Sequence, residues 1–421
     1  MTSEICVMNR LAVVLAADSA TTVTHYSSKG REERYFKGAN KIFQLSVHAP
    51  VGLMIYDSAA IMRVPWELVI KGFRRSLANK TFNTLAEYAA EFFTFIEDDP
   101  YLFPAEVQST EFHSAARSAA IKMIAKVTEG VDVDTQKAEL DAAVAAVAAT
   151  FDAAGANSRF DGEFAEKQRA TFHVPLLQEL QEILKSWGYA APTDMDLLVK
   201  AAINDVLRDP GDYFGTTGLV FAGYGDHDAF PSMIEYQSQG LVMGAHVAKM
   251  VEAPTVIDHE IPAAVSAFAQ TSMADTFQRG LSLDVFMTVM NAVGEGLSGL
   301  ATSLLGAMKV EATAVPDLDA KIDAVRKSIS SAVLETTRQE HALPLRRVLG
   351  SLPIEEMAGL AETLIDLQSL KEKVTKPSET VGGPVDVAVI TRNEGLVWIK
   401  RKHYFDPALN ARYTQRLQNE S

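Results

Sequence analysis

The sequence predicts an α/β (α+β) fold, a four-layer αββα sandwich of two antiparallel sheets packed face to face, with helices outside and an inserted helical region. Three observations carry this. Short apolar, β-branched runs that read as strands come in groups of four, four and two, separated by two helical blocks. Strict strand–helix–strand alternation is missing, which argues against a doubly wound parallel sheet. Apolar residues make up 48% of the 421-residue chain and charged residues 22%, enough for a sizeable core and too apolar for global disorder.

Taken in order, Ile5–Met8 and Leu11–Ala17 form a hairpin buried on both faces and turning at Asn9-Arg10. Ser27–Lys37 is polar and charged and reads as a solvated loop. Lys41–Val47 and Val51–Tyr56 make a second strand pair across His48-Ala49-Pro50. Ser58 is placed to cap a helical segment through Ala59–Ile61, and Pro65 forces a fresh start before Trp66–Leu77. Within Thr84–Glu97, Leu85, Tyr88, Ala89, Phe92, Phe93 and Ile96 recur at helical spacing, giving an amphipathic helix.

Residues 99–212 change character. Ala138–Ala156, Leu176–Trp187 and Asp194–Val206 are helical by composition and period, and β-branched runs are nearly absent. Asp98-Asp99-Pro100 and Asp209-Pro210-Gly211-Asp212 bound the stretch. The expected organisation is one domain over 1–405, interrupted by a helical insertion at 99–212 and followed by a polar tail at 406–421. Strands resume at Gly218–Tyr224, Ser232–Gln237, Leu241–Val247 and Ala263–Gln270. Asp275–Met308, Leu318–Thr337 and Pro353–Glu372 read as helices, the last with Glu355 and Glu356 in its first turn. Val385–Thr391 and Leu396–Lys402 form a closing hairpin around Arg392–Gly395.

A net charge of −15 counts against a nucleic-acid binder or a protein of anionic membranes, both of which need clustered Lys and Arg. Cys6 is the only cysteine, which excludes an intrachain disulfide and a cysteine-based zinc site and fits a cytoplasmic setting. Cys6 lies in a strand-like run and reads as a small core residue. Leu11–Ala17 is too short for a signal segment. Val285–Val310 is longer, but Asn291, Glu295, Ser298 and several glycines interrupt it, so it reads as a buried helix rather than a membrane span. Asp226-His227-Asp228 and Asp258-His259-Glu260 read as polar turns; no metal site and no cofactor motif is expected.

The chemistry centres on the first residues. If an aminopeptidase removes Met1, which the small Thr2 permits, the chain begins with a threonine. It then carries a hydroxyl nucleophile and an amine of reference pKa about 7.7–8.0 on one residue. Thr2 starts the first strand, Asp18 closes the second and Lys41 opens the third, so neighbouring strand ends can bring all three together. Lys41 would supply a positive charge that favours the neutral amine and stabilises charge developing on the hydroxyl oxygen. Asp18 would hold the ammonium by a charge-assisted hydrogen bond.

This arrangement resembles the proteasome β-subunit type of N-terminal nucleophile hydrolase. The resemblance is carried by Thr2, by Ala16-Ala17-Asp18-Ser19 and by Lys41-Ile42 within Ala39-Asn40-Lys41-Ile42-Phe43. It continues in Gly52–Ala60, in Val220-Phe221-Ala222-Gly223-Tyr224 and in Gly382-Gly383-Pro384-Val385, covering roughly 1–97 and 215–405. A Met-Thr start is similar to the simpler bacterial ring peptidases of the family. The resemblance implies a threonine-type peptidase with Thr2, Asp18 and Lys41 catalytic, a peptide or amide substrate and a homo-oligomeric ring. In such a ring the 99–212 insertion caps or gates a chamber; nothing in the sequence reveals an unfolding ATPase partner.

The chain also departs from the family pattern. Ala20 stands where an arginine usually follows the Asp-Ser pair. Asp57 replaces the glycine whose backbone N–H serves the oxyanion, so it faces the substrate in the resemblance; a carboxylate there repels an oxyanion, and a positive φ would strain it. The family's supporting serine falls near Gln270-Thr271-Ser272 without a clean match, and its Asp-x-x-Ser element aligns with Ser378-Glu379-Thr380-Val381. Two other readings stand beside the peptidase: a catalytically silent structural or interaction subunit, and an acylase acting on small amides.

Overall fold

The computed structural model describes residues 2–27, 30–310, 315, 317–375, 381–406, 409–412 and 415. The chain opens with β1 (Ser3–Asn9), β2 (Val13–Ala17), β3 (Ala20–Ser27), β4 (Gly30–Lys37), β5 (Ile42–Gln44) and β6 (Val51–Asp57). The short β7 (Ala60–Ile61) and β8 (Val64–Pro65) precede α1 (Trp66–Leu77) and α2 (Leu85–Asp98). Helices continue as α3 (Ala105–Ile124), α4 (Val133–Ala154), α5 (Gly162–Trp187), α6 (Met195–Arg208) and α7 (Gly211–Phe214). Then come β9 (Thr217–Gly223), β10 (Ser232–Val242), β11 (Ala245–Met250), β12 (Thr255–Val256) and β13 (Ala263–Ala269). Next are α8 (Ser272–Arg279), α9 (Leu283–Met308), α10 (Leu318–Thr337), α11 (Leu343–Leu349) and α12 (Ile354–Thr375), before β14 (Asp386–Thr391) and β15 (Gly395–Lys400). The protein is thus a mixed α/β chain with several antiparallel sheets.

Two compact units are formed, the first from Met1–Tyr56, Ala222–Met233 and Thr255–Ser421, the second from Asp57–Phe221 and Ile234–Pro254. In the first, one antiparallel sheet has the order β13-β1-β2-β14-β15. The two-residue period of its strands turns Ile5, Val7, Val14, Ala16, Val387 and Val389 to one face. There they bury against Met357, Ala361, Leu364 and Ile365 of α12. The opposite face meets β6, where a Cβ on Gly52 would come within 2.8 Å of Ile390 Cδ1 and 3.3 Å of Leu15 Cδ1. Helix α12, the five-stranded sheet and the β5–β6 pair therefore form three successive layers in this unit.

Gly223 is pinned by a closer approach. Its φ is +139°, Tyr224 N donates to Pro50 O at 3.0 Å, and a Cβ on Gly223 would lie 2.1 Å from that oxygen. Gly223→Ala is expected to cost about 2–4 kcal/mol through backbone strain and forced separation of the strands. An unchanged urea midpoint would contradict the close approach.

The second unit holds α1–α7, most of β9 and β10, and β11. Helix α2 starts on a capping box, Thr84 accepting from Glu87 N while the Glu87 carboxylate accepts from Thr84 N. Its Phe92 and Phe93 pack edge-on against Phe221 of β9, and Phe93 also meets Tyr236 of β10. Phe112, Leu140, Phe172, Leu180, Leu198 and Ile203 of α3–α6 share a core with Val242 and Val247.

Several sequence expectations give way to the structure. Ser27–Lys37 is not a loop: β3 and β4 run as a two-stranded ribbon from Ala20 opposite Lys37 to Ser27 opposite Gly30, because a ladder needs paired backbone rather than apolar side chains. Ser58 caps no helix; its hydroxyl donates to Ala60 O and accepts from Ala60 N at the entry to the β7–β8 turn. The Ser232–Gln237 and Leu241–Val247 strands break later than expected, since β10 runs unbroken through a bulge at Ser238–Leu241 and turns at Met243-Gly244. Asp275–Met308 is split at Gly280, which takes φ +67° between α8 and α9.

The largest correction concerns α9. Expected to be a buried helix, it leaves Leu283, Val285, Met287, Val289, Leu300, Leu304 and Met308 exposed, and only its Met290 is buried. Hydropathy records that a helix favours burial, not which surface covers it. Among the described residues no helix is long and apolar enough to cross a membrane. The polar tail after Asp406 falls mostly outside the described residues, as does Ser378-Glu379-Thr380.

Candidate active site around Thr2

The first three strands of the sequence reading do converge. Thr2 precedes β1 and is tied to β13 by Gln270 N donating to Thr2 O at 3.0 Å. Asp18 follows β2 and is held beside β1 by its own N–H, which donates to Ser3 O at 3.2 Å. Lys41 precedes β5 and is fixed by Ile55 N donating to Lys41 O at 2.9 Å. All three side chains are buried: Thr2 is 6% exposed, Asp18 1% and Lys41 5%.

Asp18 is the hub. Its Oδ1 accepts from Lys41 Nζ and from Ser3 N at 3.1 Å; its Oδ2 accepts from Ala20 N at 3.2 Å and Gly382 N at 2.8 Å. The Gly382-Gly383 turn is in turn stitched to the link between β2 and β3, with Ser19 N donating to Gly382 O and Ser19 Oγ to Pro384 O. A carboxylate with one ammonium and three backbone donors is satisfied as an anion.

Glu4 links Thr2 to Lys41, and the sequence reading missed it. Thr2 Oγ1 donates to Glu4 Oε2 at 3.1 Å, and Lys41 Nζ stands 3.1 Å from Glu4 Oε1. That second contact is an ion pair only, since Oε1 accepts no hydrogen bond. Glu4 is 0% exposed, with Ala17 of β2 and Phe268 of β13 paired on either side. Burial pushes its carboxyl from the ordinary value up to about 7; the nearby Asp18 charge adds to this, and Lys41 and the Thr2 hydroxyl oppose it. A signal was present in the sequence: two residues along a strand return to the same face, so Glu4 sits on the face of Thr2, a charge inside an apolar run.

With its folded pKa raised, Glu4 binds protons more tightly in the folded chain, so its stabilising contribution is full below the unfolded value and is lost as pH rises through about 7. The loss is of the order of 3 kcal/mol between pH 4 and 8. Urea midpoints at pH 5 and pH 8 are expected to show this fall in wild type and not in Glu4→Gln. Parallel pH curves for the two proteins would refute it.

Asp57 ends β6 and begins the second unit. Its φ is +66°, the left-handed conformation that favours glycine and that Asp tolerates better than most residues. The residue is exposed, yet protein packed around the carboxyl pushes its pKa upward. Gln270 and Ser272 flank the site end of β13: Ser3 Oγ donates to Gln270 O at 3.3 Å, while Ser272 is engaged by Gln368 and Lys371 of α12. Cys6 is buried in β1, and burial raises its thiol well above the ordinary range, which leaves it inert.

The two acidic–histidine triplets are turns. Asp228 Oδ2 accepts from Gly225 N, and Asp258 Oδ1 accepts from Glu260 N and Ile261 N. Their carboxylates are thus used in local backbone hydrogen bonds. No cluster of three or more metal-ligating side chains occurs among the described residues.

No protein-family profile matches the chain, and no curated protein matches it. Among solved structures it is similar to a Gly-1 mutant of Anbu from Hyphomicrobium sp. strain MC1, at 9% identity and a TM-score of 0.28, covering 100% of this chain and 96% of that one. It is likewise similar to Anbu, an ancestral beta-subunit, from Yersinia bercovieri, at 9% identity and a TM-score of 0.28, covering 99% and 95%. A likeness that slight carries no argument about chemistry, which rests on the geometry of the site.

Proposed function

We propose that the protein is an N-terminal threonine amide-bond hydrolase, a peptidase in which Thr2 becomes the nucleophile once Met1 is removed. The observation that carries this reading is the buried chain Thr2–Glu4–Lys41–Asp18, a hydroxyl joined to an ammonium and two carboxylates at one end of the sheet. Thr2 Oγ attacks the substrate carbonyl, a base beside it relays the proton to the leaving nitrogen (the terminal amine is the base that the resemblance implies), and water then cleaves the acyl ester. Lys41 stabilises the charge that develops on the oxygen, and Asp18 holds Lys41 in place.

The predicted organisation, a 1–405 hydrolase domain with a 99–212 insertion, belongs to the same proposal. So does a homo-oligomeric ring, which the exposed apolar side chains of α9 support as a surface for a second copy of this chain. Asp57 favours a second reading, a catalytically silent subunit of the same fold, because its carboxylate and positive φ sit where the resemblance places the oxyanion glycine.

Intact-mass measurement separates the two at the first step. Retained Met1 leaves no free threonine amine and sinks the form of the hydrolase in which that amine carries the proton. With Met1 removed, a fluorogenic peptide panel tests turnover, and cleavage confined to single-residue amides identifies an acylase instead. Native mass reads the oligomeric state, and a monomer at working concentration sinks the ring.

A further inference from the structure

Glu4 is more than a partner for Lys41. We propose that Glu4 is a catalytic residue of the Thr2 site, its carboxylate taking the hydroxyl proton as Oγ attacks, so that the nucleophile is primed without the terminal amine. This rests on Thr2 being the nucleophile.

Three observations carry the inference. The Thr2 hydroxyl already donates to Glu4 Oε2 at 3.1 Å, the reach a general base needs. Lys41 stands 3.1 Å from the other carboxylate oxygen and is itself held by Asp18, so nucleophile, base and orienting group follow one another as in other activated-nucleophile sites. Glu4 is 0% exposed, so water does not compete for its contacts with the Thr2 hydroxyl and with Lys41. The titratable groups facing Glu4 are Asp18 at the end of β2, Lys41 ahead of β5 and, once Met1 is removed, the amine of Thr2; β13 brings Phe268. Burial holds its titration near neutrality, where a carboxylate both accepts and returns a proton readily.

The proton balance closes. As the Oγ–C bond forms, the carbonyl π pair moves to oxygen and the hydroxyl proton to Glu4 Oε2. As the C–N bond breaks, Glu4 returns that proton to the leaving nitrogen, giving the amine and a Thr2 ester. Water then adds to the ester carbonyl, its proton passing to Glu4. Collapse releases the acid while Glu4 reprotonates Thr2 Oγ.

A β-lactone probe, which acylates a hydroxyl directly, tests this on the full-length protein. Acylation rates are read by intact mass from pH 5 to 9 for wild type, Thr2→Ala, Glu4→Gln, and wild type with Met1 retained. Wild type is expected to acylate, with a rate rising through about pH 7. Thr2→Ala is expected to be inert. Glu4→Gln should slow acylation by about 100-fold or more and lose that rise. The Met1-retained chain, whose amine is blocked but whose side chains are intact, should stay within about threefold of wild type if Glu4 is the base. Glu4→Gln acylating at the wild-type rate and pH profile overturns the role of Glu4 alone. An inert Met1-retained chain overturns it equally, even where Glu4→Gln fails to fold. Unreactive wild type overturns the Thr2 reading and Glu4 with it.

Discussion

Thr2→Ala is expected to lower turnover of a fluorogenic peptide panel by at least about 10³-fold, the usual scale for deleting a covalent nucleophile. The substitution is well suited to the question. Alanine is as permissive as threonine for Met1 removal, and it keeps the backbone bond from Gln270 N to the residue 2 carbonyl. What it removes is the hydroxyl and its hydrogen bond to Glu4. That bond is worth about 1–2 kcal/mol, so the variant should fold while failing to react. Thr2→Ser, which restores a hydroxyl, is expected to recover part of the rate. Equal turnover by wild type and Thr2→Ala would remove Thr2 from the mechanism. No turnover by a wild-type chain that has lost Met1 would turn the reading toward the silent subunit.

Asp18→Ala should act on the fold first. Asp18 gathers Lys41, Ser3 N, Ala20 N and Gly382 N in the interior; alanine takes the acceptor from the three N–H groups and leaves Lys41 with Glu4 alone. Breaking a buried ion pair typically costs about 3–5 kcal/mol; Glu4 still faces Lys41, which lowers the cost, and the three stranded N–H groups raise it. Urea denaturation at pH 7 measures it. A loss below about 1 kcal/mol would mean that the Gly382 turn and the end of β2 do not depend on this carboxylate. Asp18→Asn keeps the shape and one acceptor but not the charge, so it should fall between the two. Comparing Lys41→Met with the double variant in a mutant cycle would show how much of the cost belongs to the pair.

Much of the candidate site was legible because its parts sit at strand ends. Thr2, Asp18 and Lys41 bracket three apolar runs whose two-residue period is plain in the sequence, and the structure draws their side chains together. Glu4 was not read, because its one signal is a charge at the start of an apolar run, and a charge near a strand end is as readily solvated as buried. The left-handed backbone at Asp57 was legible only through the resemblance, where a glycine stands at that position, since it is a property of the turn after β6. The β3–β4 ribbon was hidden for a related reason: its strands are polar, and hydropathy detects burial rather than backbone pairing.

What the sequence determined by itself was local. Hydrophobic period set the helix α2 and the strands β1, β2, β6 and β14, and Pro353 with an acidic first turn marked the start of α12. Tertiary structure alone decided which distant groups meet and how dry they are. Gly382 lies 364 residues from Asp18 yet supplies one of its donors. The helix α9, apolar enough to be read as core, keeps its side chains on the surface. Glu4, an ordinary acidic residue in the chain, has its carboxyl pushed up to about 7 because folding buries it between β2 and β13 and sets the Asp18 charge nearby. Local propensity depends on neighbours along the backbone, whereas desolvation depends on neighbours through space.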